Sequence, residues 1–155
     1  MPRAFRLIKR KHAAQSFDGE GARLFGGRWN RPGVAVVYAS ENLSLAALEL
    51  LVHLEQGLLL AHYLMCRVEF PESAVEELPA KRLPAHWRAS PAPPALQEIG
   101  TRWARARRSA VLRVPSAVIP LESNFLLNPD HPSFPRFVRA GPEPFDFDPR
   151  LRSHG

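Results

Sequence analysis

Three patterns in the sequence predict a single compact domain of the α/β (α+β) class. Val34-Ala-Val-Val-Tyr38 is an apolar, β-branched and aromatic run that passes into a helical pattern beginning at Asn42 or Ser44. Residues 60–70 alternate as a half-buried strand does: His62, Leu64, Cys66, Val68 and Phe70 on one side, Tyr63, Met65, Arg67 and Glu69 on the other. Ala95 to Arg108 places Leu96, Ile99 and Trp103 at helical spacing, ahead of a second β-rich stretch. Strands and helices therefore intermix along 155 residues, a length that suits one domain with a real core.

Taken in order, Ala4 to Ile8 reads as the first strand and Lys9-Arg-Lys-His12 as a solvated basic turn. Ser16 to Gly21 is polar and loop-like and feeds a glycine-rich segment, where Gly26-Gly27 permits positive φ or a close backbone approach to a ligand. Gly57 is placed to stop the central helix at a C′ position, and Pro71 ends the alternating strand. Residues 71–94, with Pro79, Pro84, Pro91, Pro93 and Pro94, predict turns around a Trp87 anchor and little regular structure. The helix that follows carries Arg102, Arg105 and Arg108 outward, as a solvated face or a dock for an acidic partner.

Ala110 to Val114 is the next strand, closed by Pro115-Ser116, with Val118 to Leu121 continuing the sheet and Ser123 to Leu127 leading into Asn128-Pro129. Residues 128–135 form an ordered turn or loop in which His131 is expected to be a structural or surface histidine rather than a general base. In the tail, Pro142 to Gly155, Phe145 and Phe147 alternate with Asp146 and Asp148, which suits a short edge strand. The core then spans about residues 4–140, with the tail at 142–155.

Charge and cysteine use narrow the setting. The net charge of +6 and pI near 10.4 favour anionic partners: nucleic acid, a phosphorylated small molecule or an acidic protein. A single cysteine, Cys66, excludes an internal disulfide framework and fits a reducing compartment. No apolar run approaches the roughly 20 residues that span a bilayer, and the first residues lack a signal-peptide core, so a cytoplasmic protein is expected. His12, His53, His62, His86, His131 and His154 are scattered, with no HExxH, paired cysteines, Walker loop, GxGxxG or nucleophile elbow. The motifs leave chemistry that needs neither metal nor covalent nucleophile.

Glu49 is the anomaly of the central helix. Leu45, Ala46, Leu48, Leu51 and Val52 surround it, so its carboxylate is expected to be partly buried and to need a cationic or hydrogen-bonding partner, for which Arg28 is the candidate. The alternative keeps Glu49 on a solvent stripe, paired with His53 four residues on. Tyr38 and Ser116 likewise admit plain structural readings, as a core residue and a turn residue.

GGRWN at 26–30, VVYAS at 36–40, the SLAALELLVHL helix at 44–54, VPS at 114–116 and NPDHP at 128–132 occur in an order that resembles the RES domain. The resemblance runs from Phe5-Arg6 to about Pro132. That domain is the toxin half of a bacterial toxin–antitoxin pair, named for an arginine, a glutamate and a serine, matched here by Arg28, Glu49 and Ser116. It implies an ADP-ribosyltransferase-like fold, a mixed β-sheet core flanked by helices, acting on NAD as substrate without a metal. It also implies a cognate Xre-type antitoxin, a helical DNA-binding protein whose end covers the NAD pocket; homodimer formation stays open, and neither membrane nor direct nucleic-acid binding is expected.

On this reading Arg28 grips the pyrophosphate, helped by the backbone of Gly27 and Trp29 and by Asn30. Tyr38 stacks on the nicotinamide, and Glu49 stabilises an oxocarbenium-like transition state or holds the ribose hydroxyls. Ser116, with Ser40 or Asn128, orients the ribose or phosphates; NPDHP favours Asn128 over Asn124 as the family's asparagine. Nicotinamide leaves from a positively charged pyridinium and needs no proton, so one carboxylate suffices where a glycosidase ordinarily uses two. Water, phosphate or a protein side chain would accept the ADP-ribose. The rival readings are a basic RNA-binding or RNase-type module, resting on the pI, the arginine face and exposed Trp87 and Trp103, and a non-enzymatic partner protein.

Overall fold

Seven strands build one sheet: β1 (Arg3–Lys9), β2 (Val37–Ser40), β3 (Tyr63–Glu69), β4 (Val75–Glu77), β5 (Val111–Pro115), β6 (Ser123–Leu127) and β7 (Val138–Phe145). Their spatial order is β4-β5-β6-β2-β1-β3-β7. The computed structural model describes residues 1–54 and 62–151. Only β4 and β5 run parallel; the other neighbours are antiparallel, so the sheet is mixed and the fold is α+β. Among the described residues three α-helices accompany it: α1 (Glu20–Phe25), α2 (Leu43–Leu51) and α3 (Pro94–Ala106). Among the described residues no helix is long and apolar enough to cross a membrane.

Strand alternation gives the sheet two apolar faces. Val111, Phe125 and Leu127 point into a cluster with Ala4, Val37, Val68, Phe70 and Phe137. Their neighbours Leu112, Val114 and Leu126 point the other way, under α3, to meet Trp29, Val36, Leu96 and Trp103. In β3, Leu64, Cys66 and Val68 are buried on one side, as the alternation requires, and Phe70 just after it is buried too. Tyr63 is buried on the other, edge-on to Phe147 in the tail.

The helices follow their end signals. Asn42 caps α2 by accepting the Leu45 amide at 2.7 Å. That helix stops at Leu51; Gly57 and the first residues of the alternating strand, Leu60 and Ala61, lie outside the described residues. Pro94 occupies the first turn of α3, where a missing N–H is harmless, and Arg107 at φ 55° ends it. Gln97, Gly100, Thr101 and Ala104 share one face of α3. At Gly100 a Cβ would lie 1.9 Å from the Trp29 carbonyl oxygen, so the glycine-rich segment packs against bare helix backbone.

Several expectations need correction. Part of the polar segment read as loop is α1, which Gly26 at φ 74° terminates by returning its N–H to Ala22 O. The strand expected from Val34 starts at Val37, because the Val34 carbonyl is taken by the Asn30 side chain. Val118 to Leu121 does not continue the sheet: the Val118 and Ile119 amides turn back to Ser116 Oγ at 3.1 and 3.0 Å, and Ser123–Leu127 is itself the next strand. The proline-rich segment holds the three-residue strand β4, too short to leave a periodic signal. The edge strand starts at Val138, four residues before the tail was drawn. His131, by contrast, is structural as expected, its Nδ1 accepting the Ser133 amide.

Candidate active site

β1 and β2 pair at a single position, Phe5 with Ser40, so the sheet splits between them. A cleft of about 790 Å³ lies at this split, bordered by Arg6, Arg28, Tyr38, Ser40, Glu49 and Asn124. Its other walls come from α2, the glycine-rich segment and Ser90-Pro91-Ala92. The size and the mixture of apolar wall with few polar groups suit a small-molecule site.

The carboxylate side is built from side chains. Glu49 is half-buried, and its Oε1 accepts the Ser116 hydroxyl at 2.6 Å and the Asn124 amide at 2.8 Å. Ser40 in turn donates to Asn124 Oδ1 at 2.7 Å, across the β2–β6 pair that sets these two residues opposite each other. Both acceptor positions of Ser116 Oγ are filled by the Val118 and Ile119 amides, so its single hydroxyl hydrogen goes to Glu49. Ser116 is 0% exposed and does not border the cleft. Its expected contact with ribose or phosphate is therefore replaced by a hold on Glu49. Glu49 Oε2 takes no hydrogen bond from the described residues.

The cation side is held by backbone. Arg28 does not pair with Glu49; its Nη1 donates to the carbonyls of Trp87 and Ala89 at 3.1 and 2.9 Å, and neither Arg28 nor Arg6 has a carboxylate in ion-pair range among the described residues. The expected Arg28–Glu49 pair fails because Glu49 finds neutral donors on β6 and beside β5. The His53 alternative fails for the same reason, although His53 also borders the cleft. Arg28 Nε and Nη2 take no partner among the described residues.

Arg6 was not anticipated as a site residue. Its Nε donates to Ser16 O at 2.7 Å and its Nη1 to the Tyr38 carbonyl at 2.8 Å, bridging the split in the sheet. Burial lowers its pKa, with Cys66 and Asp18 opposing, but a guanidinium stays charged. The signal was present: Arg6 shares the β1 face of Ala4 and Ile8, both buried, so alternation points a cation inward. Among the described residues the cleft's charged groups are Arg6, Arg28 and Glu49, which leaves it net positive.

The GGRWN residues divide between cleft and scaffold. Asn30 is 0% exposed, and its Nδ2 donates to the carbonyls of Ala22, Arg31 and Val34 while Oδ1 accepts the Tyr38 hydroxyl. It fixes the loop from within and has nothing left for a phosphate. Trp29 is 2% exposed and packs in the core under α3. Gly27 is required by crowding, since a Cβ there would stand 2.7 Å from the Tyr38 oxygen. Tyr38 also accepts the Trp29 amide at 3.0 Å. Burial pushes its phenol pKa well above the ordinary value, against the Trp29 hydrogen bond and the Arg28 charge, so the group is neutral. Its ring borders the cleft as an apolar wall.

Asn128 lies elsewhere. It is buried, donates to Ala104 O at 2.9 Å and accepts the Asp130 amide, which joins α3 to the turn after β6. Asn124 is the asparagine at the cleft. The choice of Asn128 rested on the NPDHP turn, whose order is structural. The aromatic support for nucleic-acid binding also weakens, because Trp103 is buried and Trp87 packs against the same core.

Comparison with known proteins bears on this arrangement. The family model described as RES domain matches residues 3–148. "Toxin Res" of Yersinia enterocolitica is 39% identical over 149 residues, covering 96% of this chain and 98% of the relative. "Prs ADP-ribosylating toxin" of a Sphingobium species is 37% identical over 145 residues, covering 92% and 90%. Among solved structures, the M. tuberculosis MbcT–MbcA toxin–antitoxin complex contains a chain similar at TM-score 0.77 and 19% identity, over 93% of this chain and 84% of that one. At that identity the likeness shows a shared fold.

Proposed function

We propose that this chain, which belongs to the RES domain family, is the toxin of a toxin–antitoxin pair and consumes NAD in the Glu49 cleft. One observation carries the reading: a carboxylate with one oxygen held by two neutral donors shares a cleft with two guanidiniums that have no carboxylate in ion-pair range among the described residues. Arg28, through Nε and Nη2, and the cationic wall at Arg6 suit a pyrophosphate. The Tyr38 ring offers an apolar face to a planar heteroaromatic. Glu49 Oε2 can meet positive charge developing at the anomeric carbon or hold a ribose hydroxyl.

The glycosidic C–N bond breaks with its electron pair going to the pyridinium nitrogen, so nicotinamide leaves neutral and unprotonated. The incoming oxygen bonds to the anomeric carbon and loses its proton to solvent or to Glu49. Water makes the chain an NAD glycohydrolase and phosphate an NAD phosphorylase. Transfer of ADP-ribose to a protein is the second reading, and the name of the Sphingobium relative favours it. The proposed partner is an Xre-type helical, DNA-binding antitoxin whose end closes the cleft; the similar M. tuberculosis structure is of a toxin–antitoxin complex. The test is nicotinamide release from NAD by antitoxin-free protein, with the ADP-ribose product identified in buffer, with phosphate and with cell extract. Release in any arm supports the reading and names the acceptor; no release in all three, from folded protein, overturns it.

A further inference from the structure

Trp87, Arg88 and Ala89 follow one another in the proline-rich segment, which the proposed NAD chemistry leaves without a role. Their bonds reach both halves of the site. The carbonyls of Trp87 and Ala89 take the Arg28 Nη1 hydrogens, at 3.1 and 2.9 Å. Between them, the Arg88 side chain points elsewhere, and its Nε donates to Ala117 O at 2.9 Å. Ala117 sits inside the turn whose Val118 and Ile119 amides aim the Ser116 hydroxyl at Glu49. The segment is anchored from below by Trp87, which packs against the core under α3, and turns at His86, whose φ is 59°. Ser90, Pro91 and Ala92 then continue as cleft wall.

We propose that Trp87-Arg88-Ala89 is a strap that fixes the guanidinium of Arg28 relative to the carboxylate of Glu49, with Arg88 as its positioning residue. Arg88 does not border the cleft. It acts through Ala117 on the Ser116 turn, and through its two neighbouring carbonyls on Arg28. A site that must hold a pyrophosphate and an anomeric carbon at once depends on the spacing of those two groups. The strap links, through hydrogen bonds to three consecutive residues, two groups that are 21 positions apart in sequence and sit on different elements.

The functional consequence rests on the NAD reading, so the test has an arm that does not. Arg88 is exposed, and its replacement leaves no buried group unsatisfied except the Ala117 carbonyl, which water can reach once the side chain is gone. In Arg88→Ala, amide hydrogen exchange at Val118 and Ile119 and in residues 27–30 is expected to rise several-fold while the rest of the sheet is unchanged. NAD kcat/KM is expected to fall about five-fold, the size of one lost hydrogen bond, with most of the change in kcat and an unaltered melting temperature. Arg88→Lys, which can still donate to Ala117 O, is expected to recover much of both. Unchanged exchange in Arg88→Ala overturns the strap, as does a faster exchange that Arg88→Lys fails to lessen. If the parent protein does not consume NAD, the exchange arm still decides the strap, and the NAD reading falls alone.

Discussion

The two sides of the cleft are held by opposite means. Glu49 is fixed by side chains, Ser116 and Asn124, each replaceable by mutation without touching the backbone. Arg28 is fixed by the carbonyls of Trp87 and Ala89, which no point substitution removes. The carboxylate side can therefore be loosened one hydrogen bond at a time. The cation side yields only when Arg28 itself, the strap at 87–89 or the loop that carries Arg28 changes. That loop is rigid for local reasons: Asn30 spends its side chain on three carbonyls, and α3 presents Gly100 so that Trp29 can sit against its backbone.

Substitutions on both sides of the cleft press on this difference. Glu49→Gln removes the charge and keeps the shape, and we expect NAD turnover to fall by about 100-fold or more, with circular dichroism unchanged. Gly100→Ala is expected to destabilise the fold by about 3 kcal/mol in urea unfolding, because its Cβ would meet the Trp29 carbonyl. Gly21→Ala, with nothing within 4 Å of the added carbon, is the control and should be neutral or slightly stabilising.

Arg28→Ala is expected to raise KM for NAD about ten-fold with stability nearly unchanged, as loss of one charged grip would do. Arg6→Ala should do the same and also destabilise by about 1–3 kcal/mol, since the Ser16 and Tyr38 carbonyls lose their donors. A purely kinetic effect at Arg6 would mean that the split in the sheet is held by something else. The smallest effects separate the two asparagines. Asn124→Ala is expected to lower kcat about five-fold, through a freed Glu49, whereas Asn128→Ala should cost about 1–2 kcal/mol of stability and leave kinetics alone.

Much of this architecture was legible in the chain. The alternation at Leu64, Cys66, Val68 and Phe70, the Asn42 cap and the spacing of Leu96 and Trp103 are local signals, and β3, α2 and α3 stand where those signals put them. The RES resemblance is likewise supported across residues 3–148. Less legible was everything made by distant partners. That Glu49 would prefer Ser116 and Asn124 to Arg28 depends on β6 lying beside β2 and on the turn after β5, which no periodicity announces. Asn124 and Asn128 are four residues apart at either end of one strand and its turn, and only the β2–β6 register tells which one faces Ser40. Strand β4 is three residues of a parallel edge and carries no pattern of its own. Arg6 is the instructive miss, because the alternation that buries Ala4 and Ile8 was already there to read.

The most direct test of the account is nicotinamide release from NAD by the antitoxin-free parent and by Glu49→Gln, side by side, with folding matched by circular dichroism. We predict steady release by the parent and a trace at background for Glu49→Gln. Equal release by both would contradict the account, because the carboxylate held by Ser116 and Asn124 would then have no part in the chemistry.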